Sequence, residues 1–240
     1  MKLFNWSNIR LLLIIAAMVG LYSFSEFKNS QRKLVTTEVI FENQNSLFIK
    51  PETVNKLLIE NRTDVKSIAK DELNLEKLEK TINKHPMVSK SEVFVTVDGM
   101  LKAKIIQKKP LARFFGQQGS YYIDENGKWM PLSPVYTARV PIIQGAIEAI
   151  THKKLAEVLK AIDKDVILKE NITGITIDKS GFMKMKNRNF DYSIDFGKPI
   201  SVQRKFDNYK AFLQKTVNDS VIDTYKKVNL VFTTQVVCTK

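Results

Sequence analysis

Residues 75–107 read LEKLEKTINKHPMVSKSEVFVTVDGMLKAKIIQ, and this stretch decides the fold of the first folded part of the chain. Its first third predicts a helix that ends at His85-Pro86, because apolar residues recur there at helical spacing (Leu75, Leu78 and Ile82). The remainder predicts a β-hairpin, since apolar and polar residues alternate on both sides of the tight turn Asp98-Gly99 (Val93, Val95 and Val97, then Leu101, Ala103 and Ile105). The stretch is therefore a helix followed by two antiparallel strands.

Two further predicted elements precede this stretch. Residues 34–41 have the pattern of a strand, and Pro51 opens a helix that carries Val54, Leu57 and Leu58 on one face. The order strand, helix, helix, strand, strand is typical of a small α+β module in which two helices cover one face of a three-stranded sheet. We expect this module to occupy residues 34–114.

The rest of the chain, residues 115–240, has shorter periodic runs. Alternating stretches separated by glycines predict several strands (121–124, 175–178, 182–186, 190–196 and 227–237). Two apolar stripes predict helices (Leu155, Val158, Leu159 and Ile162; Val202, Phe206, Tyr209 and Leu213). The predicted fold class is α+β, with one N-terminal transmembrane helix, a small module, and a larger β-rich domain with two or more helices.

The predicted membrane segment is an uncharged apolar run, LLLIIAAMVGLYSF, from Leu11 to Phe24. As a helix it is about 21 Å long, so flanking residues such as Phe27 must extend it to span a bilayer core of about 30 Å. We expect a signal anchor over residues 11–27.

The regions on either side of the anchor are defined by this assignment. Residues 1–10 are expected to form a short cytoplasmic tail, and residues 28–33 a tether to the first module. A cleaved signal peptide is the competing interpretation, because Ser23-Phe24-Ser25 has the small-x-small pattern of a cleavage site. Both interpretations export the remainder of the chain.

Composition narrows the classes of function. The chain has 240 residues, a net charge of +13 and one cysteine, Cys238. A single cysteine excludes an intrachain disulfide and a thiolate metal cage. The positive charge suits nucleic acid, anionic lipid or an anionic wall polymer, but lysine and arginine are spread along the chain instead of forming a stripe with aromatics. We therefore expect no nucleic-acid partner.

The sequence shows no persuasive catalytic pattern. His85 and His152 lie in different predicted domains, and neither has a second metal ligand at a suitable spacing. Asp124-Glu-Asn-Gly127 invites a calcium or acid–base interpretation, but its residue types favour a hairpin turn. We expect no catalytic residue, no metal, no cofactor and no small-molecule substrate.

The last predicted strand, residues 227–237, is almost uncharged beyond its first residue. Val228 and Leu230 alternate with Asn229 and Val231, as in a half-buried strand. Two interpretations stay open: an ordinary strand paired within its own sheet, or an open edge that receives a partner's strand.

The order of these features resembles the FtsQ/DivIB family of cell-division proteins. The first module resembles that family's POTRA domain in three segments (Leu78–Val88, Ser91–Val93 and Gln107–Arg113). The second half resembles its β domain in three more (Tyr122-Ile-Asp-Glu-Asn-Gly127, Ile194-Asp-Phe-Gly-Lys198 and Val228-Asn-Leu-Val-Phe232).

The resemblance implies a non-enzymatic, single-pass scaffold of the bacterial divisome. Such a protein lies in the inner membrane with its N-terminus in the cytoplasm and its bulk outside, and is enriched at the septum. It also implies FtsB/FtsL-type partners and other divisome components, bound by strand addition at the final strand. The partner-binding residues expected there are Leu230, Val231, Phe232, Thr233, Thr234, Gln235, Val236 and Val237.

The chain departs from the family pattern at this strand. The family's aspartate, leucine, arginine and tyrosine correspond to Asn229, Leu230, Val231 and Phe232. Because valine replaces the charged residue, recognition should depend on apolar packing and backbone pairing, with Phe232 as the main anchor.

Two other classes of function compete with a division scaffold. One is an exported cell-wall-binding protein or enzyme with a cleaved signal peptide. The other is an outer-membrane assembly factor with a POTRA module, but the second half of the chain lacks the many long alternating strands of a barrel.

Overall fold

The computed structural model describes residues 6–30, 33–42, 48–59, 69, 73–116 and 119–240, and the chain divides into two compact units between Gln107 and Lys108. The sequence placed this boundary later, after residue 114. It lies earlier because Pro110–Gly116 forms a strand that pairs with Gly119–Asp124 in the sheet of the second unit.

The first element is the helix α1 (Trp6–Ser30), whose 25 residues make it about 37 Å long. Its apolar side chains, including those of Leu11 and Phe24, are exposed. Among the described residues, α1 is the one helix with the length and composition to cross a membrane, over Asn8–Asn29. It is longer than the expected anchor.

The expected tail and tether are only partly described. Residues 28–30 of the expected tether belong to α1, so the helix continues beyond the predicted end of the anchor. Residues 1–5 of the tail and 31–32 of the tether lie outside the described residues.

The small module of the first unit has the predicted order of elements. They are β1 (Thr36–Phe41), α2 (Pro51–Leu58), α3 (Leu75–Asn83), β2 (Val88–Val95) and β3 (Met100–Gln107). The strand order is β1-β3-β2, with β1 parallel and β2 antiparallel to β3. Because α2 packs on β1, α3 packs on β2, and the helices pack on each other, both cover the same sheet.

Local sequence signals explain where the helices of this module begin. Pro51 occupies the first turn of α2, where its missing N–H costs nothing. The Asn74 side chain accepts a hydrogen bond from the Lys77 N–H at 2.9 Å and so caps α3. The predicted apolar faces supply much of the core (Val54, Leu58, Leu78, Ile82, Leu101, Ala103 and Ile105 are buried).

One side chain of the hairpin does not follow the predicted alternation. The alternation predicts that Val97 is buried with Val93 and Val95, but Val97 is 80% exposed. The reason is that β2 ends at Val95, after which the Thr96 N–H donates to the Met100 carbonyl at 2.9 Å and closes a turn.

Among its described residues, the second unit contains one large mixed sheet and three α-helices. Its strands are β4 (Pro110–Gly116), β5 (Gly119–Asp124), β6 (Trp129–Met130), β7 (Ile142–Gly145), β8 (Ile172–Ile177), β9 (Met183–Asn187), β10 (Ser193–Gly197), β11 (Lys227–Asn229) and β12 (Val237–Thr239). Its helices are α4 (His152–Lys164), α5 (Val166–Asn171) and α6 (Val202–Asn218).

The nine strands have the order β12-β11-β10-β9-β8-β7-β4-β5-β6. The predicted apolar stripes of α4 and α6 are buried and join the buried side chains of the sheet in one core. The predicted α+β fold, with an N-terminal apolar helix and a larger strand-rich second domain, is thereby confirmed.

The prediction of a single final strand over residues 227–237 is wrong. Strand β11 ends at Asn229, and β12 begins only at Val237 and returns antiparallel beside it. The chain leaves the strand because the Asn229 side chain accepts a hydrogen bond from the Val231 N–H at 2.8 Å, which is the local bond of an Asx turn.

Candidate partner-binding site at the edge of the large sheet

The candidate site is the edge of the nine-stranded sheet that β12 forms. Strand β12 pairs with β11 on one side, and no strand among the described residues pairs with it on the other. We call residues 230–236, which connect the two strands, the terminal loop. The terminal loop and β12 together are the terminal edge.

The pairing of β11 shows which backbone groups of β12 face outward. The Leu230 N–H donates to the Asp195 carbonyl on β10 at 2.8 Å. Because backbone groups of successive strand residues point to opposite sides, Val228 also bonds toward β10, and its two neighbours bond toward β12. Cys238 stands opposite Val228, so its N–H and C=O point away from β11. A partner strand would find these groups at the outer side of β12.

The terminal loop is fixed to the body of the unit at several points. The Leu230 side chain is only 1% exposed and belongs to the core, against which Val236 also packs. The Asn208 side chain on α6 donates from Nδ2 to the Thr233 carbonyl at 3.1 Å. These contacts hold both ends and the middle of the loop.

A glycine allows the loop to approach β10 closely. Gly197 has φ +77, and a Cβ placed on it would lie 3.1 Å from Cγ2 of Val231. A larger residue would be strained there and would push Val231 away. The glycine of the Ile194-Asp-Phe-Gly197-Lys segment thus has a structural role beneath the terminal loop.

A buried lysine stabilises the chain next to Gly197. The Lys205 side chain on α6 is 3% exposed, and its Nζ donates to the carbonyls of Phe196 at 2.7 Å and Lys198 at 3.0 Å. The same Nζ lies 4.8 Å from the centre of the Phe196 ring. Burial lowers the pKa of Lys205, because leaving water disfavours its charged form.

An ion pair links β10 to β11 below the edge. Lys227 Nζ lies 2.6 Å from Oδ2 of Asp195, whose side chain is almost buried. The ion pair joins β10 to β11, the strand with which β12 pairs. It therefore stabilises the part of the sheet that carries the terminal edge.

The structure separates the eight predicted partner-binding residues into different roles. Leu230 is a core residue and is unavailable for contact. Phe232 is 50% exposed, and Val231 and Val237 are also exposed. The remaining predicted residues are exposed or half-buried (Thr233, Thr234, Gln235 and Val236). They lie along a loop and the start of a strand, not along one extended strand.

The sequence reasoning missed two residues of the edge. Cys238 and Thr239 complete β12, but they lie beyond the predicted strand, which ends at residue 237. The signal that could have found them is Asn229, a residue type that favours chain reversal, followed by a second short run of β-formers.

The cysteine does not have the environment of a reactive thiol. Cys238 is half-buried, and burial raises the pKa of its thiol. Within the described ranges, no group of three or more His, Cys, Asp or Glu side chains is placed to hold a metal ion.

A second surface lies toward the opposite edge of the sheet. An open groove of about 1120 Å³ is lined by aromatic side chains together with Glu148 (Phe114, Phe115, Tyr121 and Trp129). The Trp129 ring meets Phe114 edge-on at 5.4 Å, Tyr121 at 5.8 Å and His152 at 6.3 Å. We call this surface the aromatic groove.

The acidic cluster beside the groove is a turn, as predicted. Oδ1 of Asp124 accepts hydrogen bonds from the N–H groups of Asn126 at 2.8 Å and Lys128 at 2.9 Å. Gly127 has φ +73, which suits the turn. The Asp124 carboxylate therefore accepts hydrogen bonds from the backbone of its own turn.

Comparison with known proteins assigns both units. A POTRA-like domain matches residues 36–106, and the family described as FtsQ/DivIB, C-terminal related, matches residues 109–239. The two matches meet where the structure divides, between Gln107 and Lys108. No match is found among curated proteins. Since the second match covers more than half of the 240 residues and follows a POTRA-like domain behind an apolar helix, the chain belongs to the FtsQ/DivIB family.

Proposed function

We propose that this chain is a non-enzymatic scaffold of the bacterial divisome. It crosses the inner membrane once and is concentrated at the division septum. Helix α1 anchors it, with residues before the span in the cytoplasm and both folded units outside. Its FtsQ/DivIB and POTRA-like domains support a role as a cell-division scaffold, and the apolar α1 supports a single membrane span. The terminal edge binds FtsB/FtsL-type proteins, and further divisome components bind elsewhere.

The observation that carries this proposal is the outward-facing backbone of β12. A partner segment in extended conformation would pair with the N–H and C=O of Cys238 and become a tenth strand. Side chains alternate along β12, so Val237 and Thr239 lie on one face and Cys238 on the other. The main-chain bonds supply affinity, and these side chains supply selectivity.

Phe232 is the proposed anchor of the complex. Its side chain is half exposed in a loop that is otherwise held by buried contacts. An aromatic residue on a fixed loop loses little conformational freedom when a partner covers it, which favours tight binding. The loop therefore presents one large apolar side chain beside a row of backbone groups.

A substitution at Cys238 tests the strand pairing directly. Proline at this position removes the outward N–H without removing a bond to β11, so Cys238→Pro should weaken binding of the FtsB/FtsL pair from the same bacterium about tenfold or more. Binding is measured with the full-length chain in nanodiscs. Cys238→Ala keeps the N–H and is expected to bind like the unsubstituted protein.

Two results would argue against strand addition at this edge. One is an affinity unchanged from the unsubstituted protein in both Cys238→Pro and Cys238→Ala while both remain folded by thermal unfolding. The other is an equal loss in both, since that would assign the effect to the side chain and not to the backbone.

The cellular part of the proposal needs a separate test. A fluorescent protein fused to the N-terminus should gather at mid-cell in dividing bacteria. A signal spread evenly over the cell envelope would contradict septal enrichment.

One observation favours an alternative function, that of an exported cell-wall-binding protein or enzyme. The exposed rings of the aromatic groove are suited to stacking on sugar rings. Titration of the full-length protein with soluble wall fragments, monitored by Trp fluorescence, should show no saturable change if the scaffold proposal holds. Saturable binding that Trp129→Ala abolishes would favour the alternative.

A further inference from the structure

The turn between β2 and β3 packs against the chain segment just after α1. The Val35 N–H donates to the Gly99 carbonyl at 2.9 Å, and a Cβ placed on Gly99 would lie 3.1 Å from the Lys33 carbonyl oxygen. We call residues 96–99 together with Val35 the hairpin tip. The turn is thus attached directly to residues that lie a few positions beyond the apolar helix.

Chain length keeps the hairpin tip close to the end of α1. Helix α1 ends at Ser30, and three Cα–Cα steps to Lys33 reach at most about 11 Å. The head-group layer on each side of a bilayer is about 5–7 Å thick. The hairpin tip therefore lies within or just above the head groups if α1 spans the membrane.

The topology of the first unit places the tip at the end of the sheet nearest the helix. Strand β1 starts at Thr36, opposite Met100, the first residue of the parallel strand β3. Both strands run away from this end, and the turn that precedes β3 stays behind. The other end of the β2–β3 hairpin is about 26 Å further along the strands.

The exposed chemistry of the hairpin tip suits a membrane surface. Val97 is 80% exposed and Val35 is 53% exposed. Lys33 is exposed beside them, and Lys28 lies in the last turn of α1. Asp98 in the turn is also exposed. Apolar side chains flanked by lysine are the residue types that bind the interface of an anionic bilayer.

We propose that the hairpin tip inserts Val35 and Val97 into the head-group layer of the membrane that α1 crosses, with Lys28 and Lys33 favouring anionic lipid. The inference rests on the proposed anchoring by α1. The POTRA-like domain then has two attachments to the bilayer, the helix and the hairpin tip, and this fixes its orientation. The helix as the sole attachment would leave this orientation free.

Single-cysteine labelling tests the insertion. In a Cys238→Ala background, the environment-sensitive fluorophore NBD is placed at Val97→Cys, Ser89→Cys or Leu13→Cys of the full-length chain. The protein is reconstituted into vesicles of phosphatidylcholine and phosphatidylglycerol that carry a nitroxide quencher either at the head group or, in a second set of vesicles, deep in the acyl chains. Ser89 is the matched control, because it is exposed at the far end of the same hairpin. Leu13 reports on α1 itself.

The expected result is a blue-shifted emission at position 97 and at least about twofold stronger quenching there than at position 89. Position 13 should be shielded from water and quenched most by nitroxide deep in the acyl chains. Quenching at position 97 should fall when phosphatidylglycerol is omitted.

Failure of the inference and failure of the anchor are distinguishable. A label in the bilayer at position 13 with a water-exposed label at position 97 would overturn the inference and leave the anchor intact. Equal quenching at positions 97 and 89 would also overturn it, since the tip would then not be the point of contact. A water-exposed label at position 13 would overturn the anchor and the inference together.

Discussion

The two edges of the nine-stranded sheet are both short strands, yet they present different chemistry. At the terminal edge, β12 turns backbone groups outward beside a loop that is held by a glycine contact and a partly buried hydrogen bond from Asn208. At the other edge, β6 is two residues long and its Trp129 packs edge-on against Phe114 and Tyr121. One edge offers main chain, and the other offers aromatic side chains.

The difference shows how a short edge strand can discriminate between binding partners. A short strand is a poor template for unspecific pairing, and both edges share that protection. At β12 the proposed partner would also have to fit the terminal loop and Phe232, so its recognition would combine backbone bonds with one apolar anchor. At β6 the aromatic rings pack against one another, and side chains line the groove between these rings and β7. Four substitutions test this contrast.

The largest change in the free energy of unfolding is expected from a substitution at the wall of the aromatic groove. Gly145 has φ +95, and a Cβ there would lie 2.1 Å from the Ile177 carbonyl oxygen. Because that atom is backbone and part of the β7–β8 pairing, Gly145→Ala should lower the free energy of unfolding by about 3 kcal/mol. Chemical denaturation measures it.

A glycine without such a clash is the control for Gly145. A Cβ on Gly174 would find its nearest atoms at 3.6 Å, in the flexible side chain of Lys186. Gly174→Ala should therefore change the free energy of unfolding by less than about 1 kcal/mol. Equal losses in the two variants would contradict the backbone clash.

The second effect concerns the anchor of the terminal edge. Phe232→Ala should weaken binding of the FtsB/FtsL pair by about 2 kcal/mol, or roughly 30-fold in Kd, because a large exposed ring is removed from the interface. Phe115→Ala, which removes a 40% exposed ring from the aromatic groove, is the matched control and should leave affinity unchanged. Unchanged affinity of Phe232→Ala would remove the proposed anchor.

A smaller effect is expected from Gly197, which supports the terminal loop. Gly197→Ala adds a Cβ 3.1 Å from Val231 at a backbone φ of +77, at a cost of about 1 kcal/mol. Hydrogen exchange should rise in residues 230–236 and stay constant in β4 to β6. Faster exchange around the aromatic groove instead would show that the two edges are coupled.

The smallest change in the free energy of unfolding is expected from a substitution away from both edges. Asp165 caps α5 by accepting from the Leu168 N–H at 3.1 Å and pairs with Lys210 on α6 at 2.7 Å. The hydrogen bond from Lys210 is the main cause that lowers the pKa of Asp165 below 3.8 in the folded state. The ionised Asp165 carboxylate therefore stabilises the folded state fully above pH 3.8. This stabilisation is lost as pH falls through the lowered folded pKa.

Substitution of Asp165 checks this pH dependence. Asp165→Asn should reduce the free energy of unfolding by less than about 1 kcal/mol near neutral pH, because the ion pair is partly exposed to solvent. The difference from the unsubstituted protein should shrink below pH 3.8. A difference that grows in acid would contradict the assigned pKa direction, and partner affinity should not change.

Elements with strong local patterns were predictable from the sequence. The stripes of α4 and α6 are buried as expected, and in α3 Leu78 and Ile82 are buried while Leu75 is half-buried, because a helix face is set by residues three and four apart. The Asp124–Gly127 turn and the β2–β3 hairpin also arise from local turn chemistry. In each case the deciding contacts are within a few residues.

Features that depend on distant pairing were not predictable in this way. Strand β4 joins the second unit because it pairs with β5 and β7, which no periodicity of its own residues reveals. The alternation from Val228 to Phe232 continues past the real end of β11, because one hydrogen bond at Asn229 reverses the chain. The same bond explains why Leu230 is a core residue while Phe232 is exposed.

The parallel pairing of β10 with β11 also has a kinetic consequence. The two strands are connected through the 17 residues of α6, so β11 can join the sheet only after α6 has crossed over it. Such a non-local pairing forms late, because the entropy of closing the loop opposes it until the contacts have formed. Strand β12 depends in turn on β11. If the proposed partner recognises β12, it would therefore bind a completely folded second unit and not a folding intermediate.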